Sequence, residues 1–284
     1  MHVLIPQERD DTAAQAQPAR LGRAIVVTSG KGGVGKTTTT ANLGTALAQR
    51  GASVVLVDAD VGLRNLDIVL GLESRVKHHL LDVLEGKVTL DDALVTGKHA
   101  PTLRLLAAAQ AREKEDVDTE KMRALVHGLR ERFDYVLIDS PAGIELGFKN
   151  AVVGAQEAIV VCTPEVSAVR DVDRVVGLLG NAFKPQLVIN RLRPHLVKKG
   201  KMLSVDDVNA ILRLPLLGVI ADEPEIIVAT NRGEPLALRD DAPTGAAYRA
   251  IAARVAGEDV PAPMPRENRS LLERIGSIFG GKRA

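Results

Sequence analysis

Four glycines within ten residues constrain this chain more than any other feature of its sequence. They stand at positions 30, 32, 33 and 35 of the stretch Ser29–Thr38, which reads SGKGGVGKTT. From Gly30 to Thr37 the pattern is G-x-x-x-x-G-K-T, in which glycines let backbone N–H groups turn inward and approach a polyphosphate closely. An apolar, β-rich run at 24–28 precedes the stretch, and helical spacing follows it as far as residue 49. We therefore predict a strand, a phosphate-binding turn and a helix, in that order.

The side chains of this loop complete a site for a nucleotide and its cation. Lys36 supplies a point charge that reaches the β- and γ-phosphate oxygens, and the Thr37 hydroxyl is a Mg²⁺ ligand. Lys31 is unusual, because the direction of the chain keeps it from the phosphates of its own loop, whereas it can reach a nucleotide held by a facing subunit. The predicted nucleotide contacts from the loop are Gly30, Lys31, Gly32, Gly33, Val34, Gly35, Lys36, Thr37 and Thr38.

Aspartates follow two other apolar runs. The run at 54–57 ends in Asp58-Ala59-Asp60, and the run at 135–138 ends in Asp139. Carboxylates at the tips of parallel strands beside a phosphate loop lie where Mg²⁺ and water chemistry occur, and we favour Asp60 over Asp58 for this role. Residues 61–67 and 139–145 are predicted to be switch segments. The predicted metal ligands are Thr37, Asp60 and Asp139.

Apolar runs alternate with stretches of helical spacing along the rest of the chain. Strands buried on both faces of a parallel sheet have continuous apolar runs, and helices connect them. The sequence therefore predicts an α/β fold with a doubly wound, mostly parallel sheet flanked by helices. The later predicted strands cover 102–107, 157–162, 186–190 and 214–220, the last being an edge strand or starting at Pro215. The later predicted helices cover 78–85, 122–132, 167–179, 224–230 and 243–256.

The end of the predicted strand at 186–190 favours adenine over guanine. A guanine-specific site has the pattern N-K-x-D here, whereas this chain reads Asn190-Arg191-Leu192-Arg193 and lacks both the lysine and the aspartate. The Asn190 amide can still offer hydrogen bonds to the adenine edge. We therefore predict that the cofactors are ATP and Mg²⁺.

The composition excludes several classes of function. The chain of 284 residues is 45% hydrophobic and 26% charged, which is ordinary for one sizeable α/β domain. A net charge of +1 and 2% aromatic residues provide neither a basic field nor stacking platforms, so no sequence-specific nucleic-acid partner is predicted. The single cysteine, Cys162, allows no disulfide within one chain and is expected to be buried. Because the sequence has neither a signal-peptide pattern nor a membrane-spanning run, a cytoplasmic protein is predicted.

The two ends of the chain differ from the domain predicted at 23–258. Residues 1–22 are polar without a clear period and are predicted to be a disordered extension. A proline-containing linker follows at 259–269, and its prolines argue against tight docking of the helix predicted after it. Residues 270–284 carry one apolar helical face flanked by basic residues, which is typical of a helix on an anionic membrane surface; docking on its own domain is the alternative. The predicted membrane contacts are Leu271, Leu272, Arg274, Ile275, Ile278 and Phe279.

Four stretches and the amphipathic end carry a resemblance to a known family. The stretches are 29–38, 58–67, 139–145 and 164–171, the last reading PEVSAVRD. Together they resemble the deviant Walker A ATPases of the MinD/ParA family over about residues 23–284, and within it the MinD branch, which determines the division septum site of bacteria. The N-terminal extension departs from the family, and nothing is carried over to it.

The resemblance implies slow ATP hydrolysis at the interface of an ATP-bound homodimer. Lys31 would contact the partner's nucleotide, Lys36 would hold phosphate, Asp60 would position the attacking water, and Asp139 would lie near the metal. The protein would bind the inner face of the cell membrane reversibly in its ATP state. The implied partners are the division inhibitor MinC and, where it exists, the activator MinE; their shared surface would include Arg170, Asp171 and Asp173 on the helix at 167–179.

Other functions stay open at this point. A ParA-like partition ATPase would use DNA in place of the membrane, although the near-neutral charge and the amphipathic end count against it. A flagellar-number relative of MinD and an ATP-binding membrane scaffold with negligible turnover are further alternatives. An electron-transfer relative is excluded, because a shared iron–sulfur cluster needs two cysteines per subunit and only Cys162 is present.

Overall fold

Apolar runs form the centre of one eight-stranded sheet in the computed structural model, which describes residues 21–110 and 117–265. The strands are β1 (Arg23–Thr28), β2 (Val54–Asp58), β3 (Val95–Thr96), β4 (Leu103–Leu106), β5 (Tyr135–Asp139), β6 (Glu157–Cys162), β7 (Pro185–Leu192) and β8 (Leu216–Ala221). Their order is β3-β4-β2-β5-β1-β6-β7-β8, and every neighbouring pair is parallel except β3 with β4. The prediction of a doubly wound, mostly parallel sheet is confirmed.

Helices cover both faces of the sheet. They are α1 (Lys36–Gln49), α2 (Leu66–Val69), α3 (Leu80–Leu84), α4 (Leu90–Ala93), α5 (Thr119–Arg132), α6 (Leu146–Val152), α7 (Val166–Leu179), α8 (Pro194–Lys198), α9 (Val205–Leu212), α10 (Glu225–Arg232) and α11 (Pro243–Val255). Alternate residues of β1 face opposite sides: Ile25 joins an apolar cluster with α1 and α11, and Val26 joins one with α5 and α7. This two-sided burial is the reason that the central strands are apolar throughout.

The observed helices differ from the predicted ones in the start of α5 and in several helices that were not predicted. α5 begins at Thr119 rather than near Met122, because the Asp118 side chain caps it by accepting hydrogen bonds from the N–H groups of Glu120 and Lys121. α9 was not predicted, although Ser204 and Asp207 form a capping box at its start. Short elements such as β3, α2, α4, α6 and α8 were missed because their apolar patterns span too few residues.

The ends of the predicted domain are only partly described. Residues 1–20, 111–116 and 266–284 lie outside the described residues, and so do the predicted membrane contacts. Gly22 donates its N–H to the Arg130 carbonyl oxygen at 2.7 Å. The first part of the predicted linker, 259–265, belongs to no helix or strand and touches β8, where the Val219 N–H donates to the Pro263 carbonyl oxygen at 2.9 Å. Among the described residues, no helix is long and apolar enough to cross a membrane.

Candidate functional site

The loop between β1 and α1 has the backbone conformation that its glycines predict. Gly33 (φ +73°) and Gly35 (φ +98°) lie in the left-handed region, which other residues adopt only with strain. Gly35 occupies the N-cap position of α1, and no side chain of the described residues caps that end of the helix. The first N–H groups of α1 are therefore available to an anion, and the helix dipole favours negative charge there.

Packing within the protein also requires glycine in this loop, at Gly30 and Gly35. A Cβ on Gly30 would lie 2.3 Å from the carbonyl carbon of Asp171 in α7. A Cβ on Gly35 would lie 2.2 Å from Nδ2 of Asn190 at the end of β7. Both distances are far below van der Waals contact, so α7 and β7 touch the loop backbone directly. The sequence pattern gave no sign of these two contacts, because each joins residues more than 100 positions apart.

Asn190 donates a hydrogen bond to the backbone of the loop. It is buried, and its Nδ2 donates to the Val34 carbonyl oxygen at 2.7 Å. Its Oδ1 accepts from the Arg191 N–H at 2.9 Å. An adenine contact, as predicted from the sequence, would have to use the second amide proton or the second oxygen lone pair. Asn190 thus has a structural partner on the loop, while its contact with the base stays a prediction.

Asp139 lies at the carboxyl end of β5 among residues of α1. The Thr40 hydroxyl lies 3.1 Å from Asp139 Oδ1, and the Thr37 hydroxyl also hydrogen bonds to this carboxyl group. Burial raises the pKa of Asp139 to about 6, whereas the two hydroxyls and the buried Lys36 ammonium act to lower it. Three of the predicted site residues therefore meet. Thr40 was missed, although its place one helical turn after Lys36 could have indicated it.

Asp58 and Asp60 have different roles at the end of β2. Asp58 is buried, and its carboxylate accepts hydrogen bonds from the N–H groups of Asp60 (3.0 Å) and Leu66 (3.2 Å). It therefore shapes the segment that follows, while burial and the charge of Asp139 raise the pKa of Asp58 well above its usual range. Asp60 is only half-buried, and its charge raises the pKa of Asp139. The preference for Asp60 as the group facing a ligand stays a prediction.

The two predicted switch segments flank these aspartates. In the first, Arg64 adopts a left-handed conformation (φ +47°) and its Nε donates to the buried Asp67 carboxylate at 2.7 Å. In the second, Gly143 has φ +89° with open space around it. Large apolar side chains in or next to these segments and at the start of α7 are exposed. They are Leu63, Ile144, Leu146 and Val166.

Lys31 lies on the surface beside α7. Its Nζ is 3.7 Å from Oε2 of Glu165, and about half of each side chain is exposed. Its carbonyl oxygen accepts a hydrogen bond from the Ser29 hydroxyl at 2.8 Å, which fixes the backbone and leaves the side chain outside the loop. The two lysines of the loop therefore differ in burial: Lys31 is exposed and Lys36 is buried.

The predicted partner residues lie on α7. Arg170 and Asp173 are exposed, whereas Asp171 is half-buried because its backbone packs on Gly30. In the described part of the chain, no group of three or more Asp, Glu, His or Cys side chains is arranged to hold a metal ion. Cys162 is buried, and burial raises its thiol pKa to about 12.

Comparison with known proteins agrees with this geometry. The sequence model of the family described as the CobQ/CobB/MinD/ParA nucleotide binding domain matches residues 25–236. The septum site-determining protein MinD of Synechocystis is 53% identical over 266 residues, covering 92% of this chain and 100% of the relative.

Two solved structures are also similar. The MinC:MinD cell division complex of Aquifex aeolicus contains a chain with a TM-score of 0.80 and 46% identity, covering 86% of this chain and 99% of that one. The septum site-determining protein MinD of Pyrococcus horikoshii, complexed with Mg-ADP, has a TM-score of 0.75 and 32% identity, covering 83% and 96%.

Proposed function

The chain belongs to the CobQ/CobB/MinD/ParA family of nucleotide-binding domains, and from that premise we propose that it is an ATP-dependent, reversibly membrane-bound dimeric ATPase that positions the division septum. Its similarity to septum site-determining proteins supports a role in cell division. The observation that carries the proposal is the meeting of Lys36, Thr37 and Asp139 at a loop whose backbone is open to phosphate.

The residues present fit ATP and Mg²⁺. The left-handed glycines and the uncapped start of α1 suit a polyphosphate, and the buried Lys36 supplies a cation for its oxygens. The Thr37 hydroxyl and the Asp139 carboxylate are oxygen donors of the kind that Mg²⁺ prefers. A bound Mg²⁺ would neutralise charge that develops on the phosphate oxygens during transfer.

The remaining site residues act on water and on the second subunit. The half-buried Asp60 carboxylate would accept a hydrogen bond from the attacking water and orient it. The exposed Lys31 would contact the nucleotide of the partner subunit. The side chains of Leu63, Ile144 and Val166 are apolar and exposed, and they lie at the carboxyl ends of the strands. Their burial between two copies would favour a nucleotide-dependent homodimer.

The proposal extends to a protein partner. MinC forms a complex with MinD in Aquifex aeolicus, and a MinC-type division inhibitor is therefore the partner that we propose for this chain. The exposed charges of Arg170 and Asp173 on α7 offer a surface for it, and MinE would share that surface where it exists.

Membrane binding would depend on dimerisation. The predicted helix at 270–284 can bury five apolar side chains, each contributing about 1 kcal/mol, and this gain is largely offset by the cost of ordering the helix. A single tail would therefore bind weakly. Two tails in one dimer gain roughly 10²–10⁴ in avidity, so ATP would switch membrane binding on and hydrolysis would release it.

Co-sedimentation with anionic vesicles tests the proposal directly. The full chain should sediment with vesicles in ATP but not in ADP, and a chain truncated after Arg269 should stay in solution in both. Lys36→Ala should lose ATP-dependent dimerisation and vesicle binding, while Lys184→Ala, which changes an exposed lysine near β7, should keep both. Binding that ignores the nucleotide, or salt-sensitive DNA binding without vesicle binding, would refute the proposal.

A further inference from the structure

The segment 259–265, called the strap below, is the described part of the predicted linker and lies along β8. Among the described residues β8 is the last strand of the sheet, and one of its edges pairs with none of the strands there. The Val219 N–H on that strand donates to the Pro263 carbonyl oxygen at 2.9 Å. The strap therefore satisfies a main-chain group of an edge strand, which otherwise is open to pairing with another chain.

The seat for the strap is a glycine. A Cβ on Gly218 would lie 2.6 Å from Cγ of Pro263, so the proline ring packs directly over the bare backbone. Along the strap the side chains of Val260, Ala262 and Pro263 are half-buried, whereas Pro261 and Met264 are exposed. A free spacer would have no such pattern of burial. The expectation that the prolines argue against tight docking concerned the helix at 270–284, which lies outside the described residues, and it stays a prediction.

The guanidinium group of Arg254 hydrogen bonds to the first part of the strap. Arg254, in the last turn of α11, donates to the Val260 carbonyl oxygen and, at 3.1 Å, to the Leu216 carbonyl oxygen at the start of β8. Just before the strap, Glu258 forms an ion pair with Arg50 at the end of α1. The strap is therefore held at its base by charged groups and further along by the proline ring and the Val219 hydrogen bond.

The hydrogen bonds of Arg254 and Val219 give the direction of the strap. The carbonyl oxygens of Val260 and of Leu216, the first residue of β8, accept from the same guanidinium group, and Pro263 contacts Gly218 and Val219, further along the strand. The strap therefore runs parallel to β8, towards the carboxyl ends of the strands. That end of the sheet carries the loop at 29–38 and the aspartates after β2 and β5.

We propose that the strap docks on β8 as a fixed element and delivers the chain after Pro265 to the same end of the sheet as the nucleotide site. The consequence rests on the proposed function: two chains that meet at their nucleotide sites would present their C-terminal residues from defined points. The docking itself does not depend on that function, because it follows from the contacts of Pro263, Val260 and Arg254 alone.

Amide hydrogen exchange of Val219 tests the docking. In the full chain this N–H should be protected, and in a chain ending at Glu258 it should exchange about tenfold faster or more, because its acceptor is gone. Amides in the centres of β1 and β5 should keep their protection, which separates local release from global unfolding. Equal exchange of Val219 in both chains, or fast exchange in the full chain, would overturn the proposal.

A pair of proline variants provides a matched control. Pro263→Ala removes the ring over Gly218 and should accelerate exchange at Val219, whereas Pro261→Ala changes an exposed proline of the same strap and should leave it nearly unchanged. Acceleration by both variants, or by neither, would show that the seat over Gly218 does not hold the strap.

Vesicle binding tests the consequence. Replacement of 259–265 by seven glycine and serine residues keeps the length but loses the seat and should weaken ATP-dependent vesicle binding about tenfold, because flexible linkage lowers the effective concentration of the second tail. Unchanged binding would overturn the positioning role while leaving the proposed function intact. If the unaltered chain fails to bind vesicles, the proposed function fails, and the exchange of Val219 still decides whether the strap is docked.

Discussion

Asp58 and Asp139 occupy directly paired positions on the neighbouring parallel strands β2 and β5, and both carboxyl groups are buried. Burial and mutual repulsion raise the pKa of Asp58, and burial is the largest cause of the raised pKa of Asp139. The sheet therefore holds two carboxyl groups together where each disfavours the charge of the other. The buried Lys36 ammonium partly relieves this repulsion, and a bound cation would relieve it further.

The raised pKa of Asp139 predicts how stability depends on pH. Its pKa is about 6 in the folded protein and near 3.8 when the carboxyl group is unperturbed, so the folded state binds this proton more tightly. The carboxyl group therefore costs nothing below the lower value and progressively destabilises the fold as pH rises through about 6. The cost at pH 7 is on the order of 2–3 kcal/mol. Urea unfolding without Mg²⁺ or nucleotide should show that Asp139→Asn reduces this loss of stability with rising pH, while the part due to the buried Asp58 remains.

Asp134 provides a control of opposite sign. Hydrogen bonds from the Ser53 hydroxyl and N–H lower the pKa of Asp134, so its contribution to stability is present at neutral pH and is lost on acidification. Asp134→Asn should therefore reduce stability at pH 7, and this loss should shrink towards acid pH. If both variants changed the pH dependence in the same direction, the assignment of the Asp139 shift to burial would be wrong.

The contact of Gly30 with α7 predicts unequal effects of two neighbouring glycine substitutions. Gly30→Ala should lower the free energy of unfolding by about 1–3 kcal/mol, because the new Cβ would overlap the backbone of Asp171. Gly32→Ala should change it by about 0.5 kcal/mol or less, because the nearest atom to its Cβ, on Ala142, is 3.7 Å away. Denaturant unfolding without nucleotide measures both. Equal losses would show that α7 yields to the loop.

The hydrogen bond from Asn190 to Val34 predicts that charge at this position is worse than truncation. Asn190→Ala leaves the Val34 carbonyl oxygen without its buried donor and should cost about 1–3 kcal/mol. Asn190→Asp places a carboxylate oxygen against that carbonyl oxygen and should cost more. Asn181→Asp, at an exposed asparagine, should be nearly neutral. Thermal unfolding ranks the three variants, and an aspartate variant as stable as the alanine variant would contradict the contact.

The exposure of Lys31 predicts that it acts only when two chains meet. Its ion pair with Glu165 is long and exposed, so Lys31→Ala should change the stability of the isolated chain by about 0.5 kcal/mol or less. ADP binding to the monomer should persist in Lys31→Ala and fall in Lys36→Ala. ATP hydrolysis should be lost in both, which calorimetric titration and a phosphate-release assay would show. A loss of ADP affinity in Lys31→Ala as large as that in Lys36→Ala would place Lys31 in its own loop.

The sequence predicted well the elements that depend on short-range residue patterns. The strand Tyr135–Asp139 and the strand Glu157–Cys162 have the predicted bounds, because continuous apolar runs ending at a polar residue leave little choice. β3 was missed because two residues are too few to show a period, and α9 was missed although Ser204 and Asp207 form a capping box at its start. The described part of the linker, 259–265, was expected to be extended, and the structure assigns it to neither a helix nor a strand; its packing on Gly218 depends on a contact between distant positions.

The sequence by itself determined the loop at 29–38, the buried strands and the aspartates at their tips, because glycine conformations, side-chain periodicity and carboxylate chemistry are properties of a few adjacent residues. Only the tertiary structure decided that Asp58 pairs with Asp139, that Asp171 fixes Gly30, that Asn190 holds Val34 and that Pro263 closes the edge of β8. Each of these contacts joins positions far apart in the chain. Which of them form is set by the order of strands in the sheet and by close packing of its layers, which no local pattern encodes.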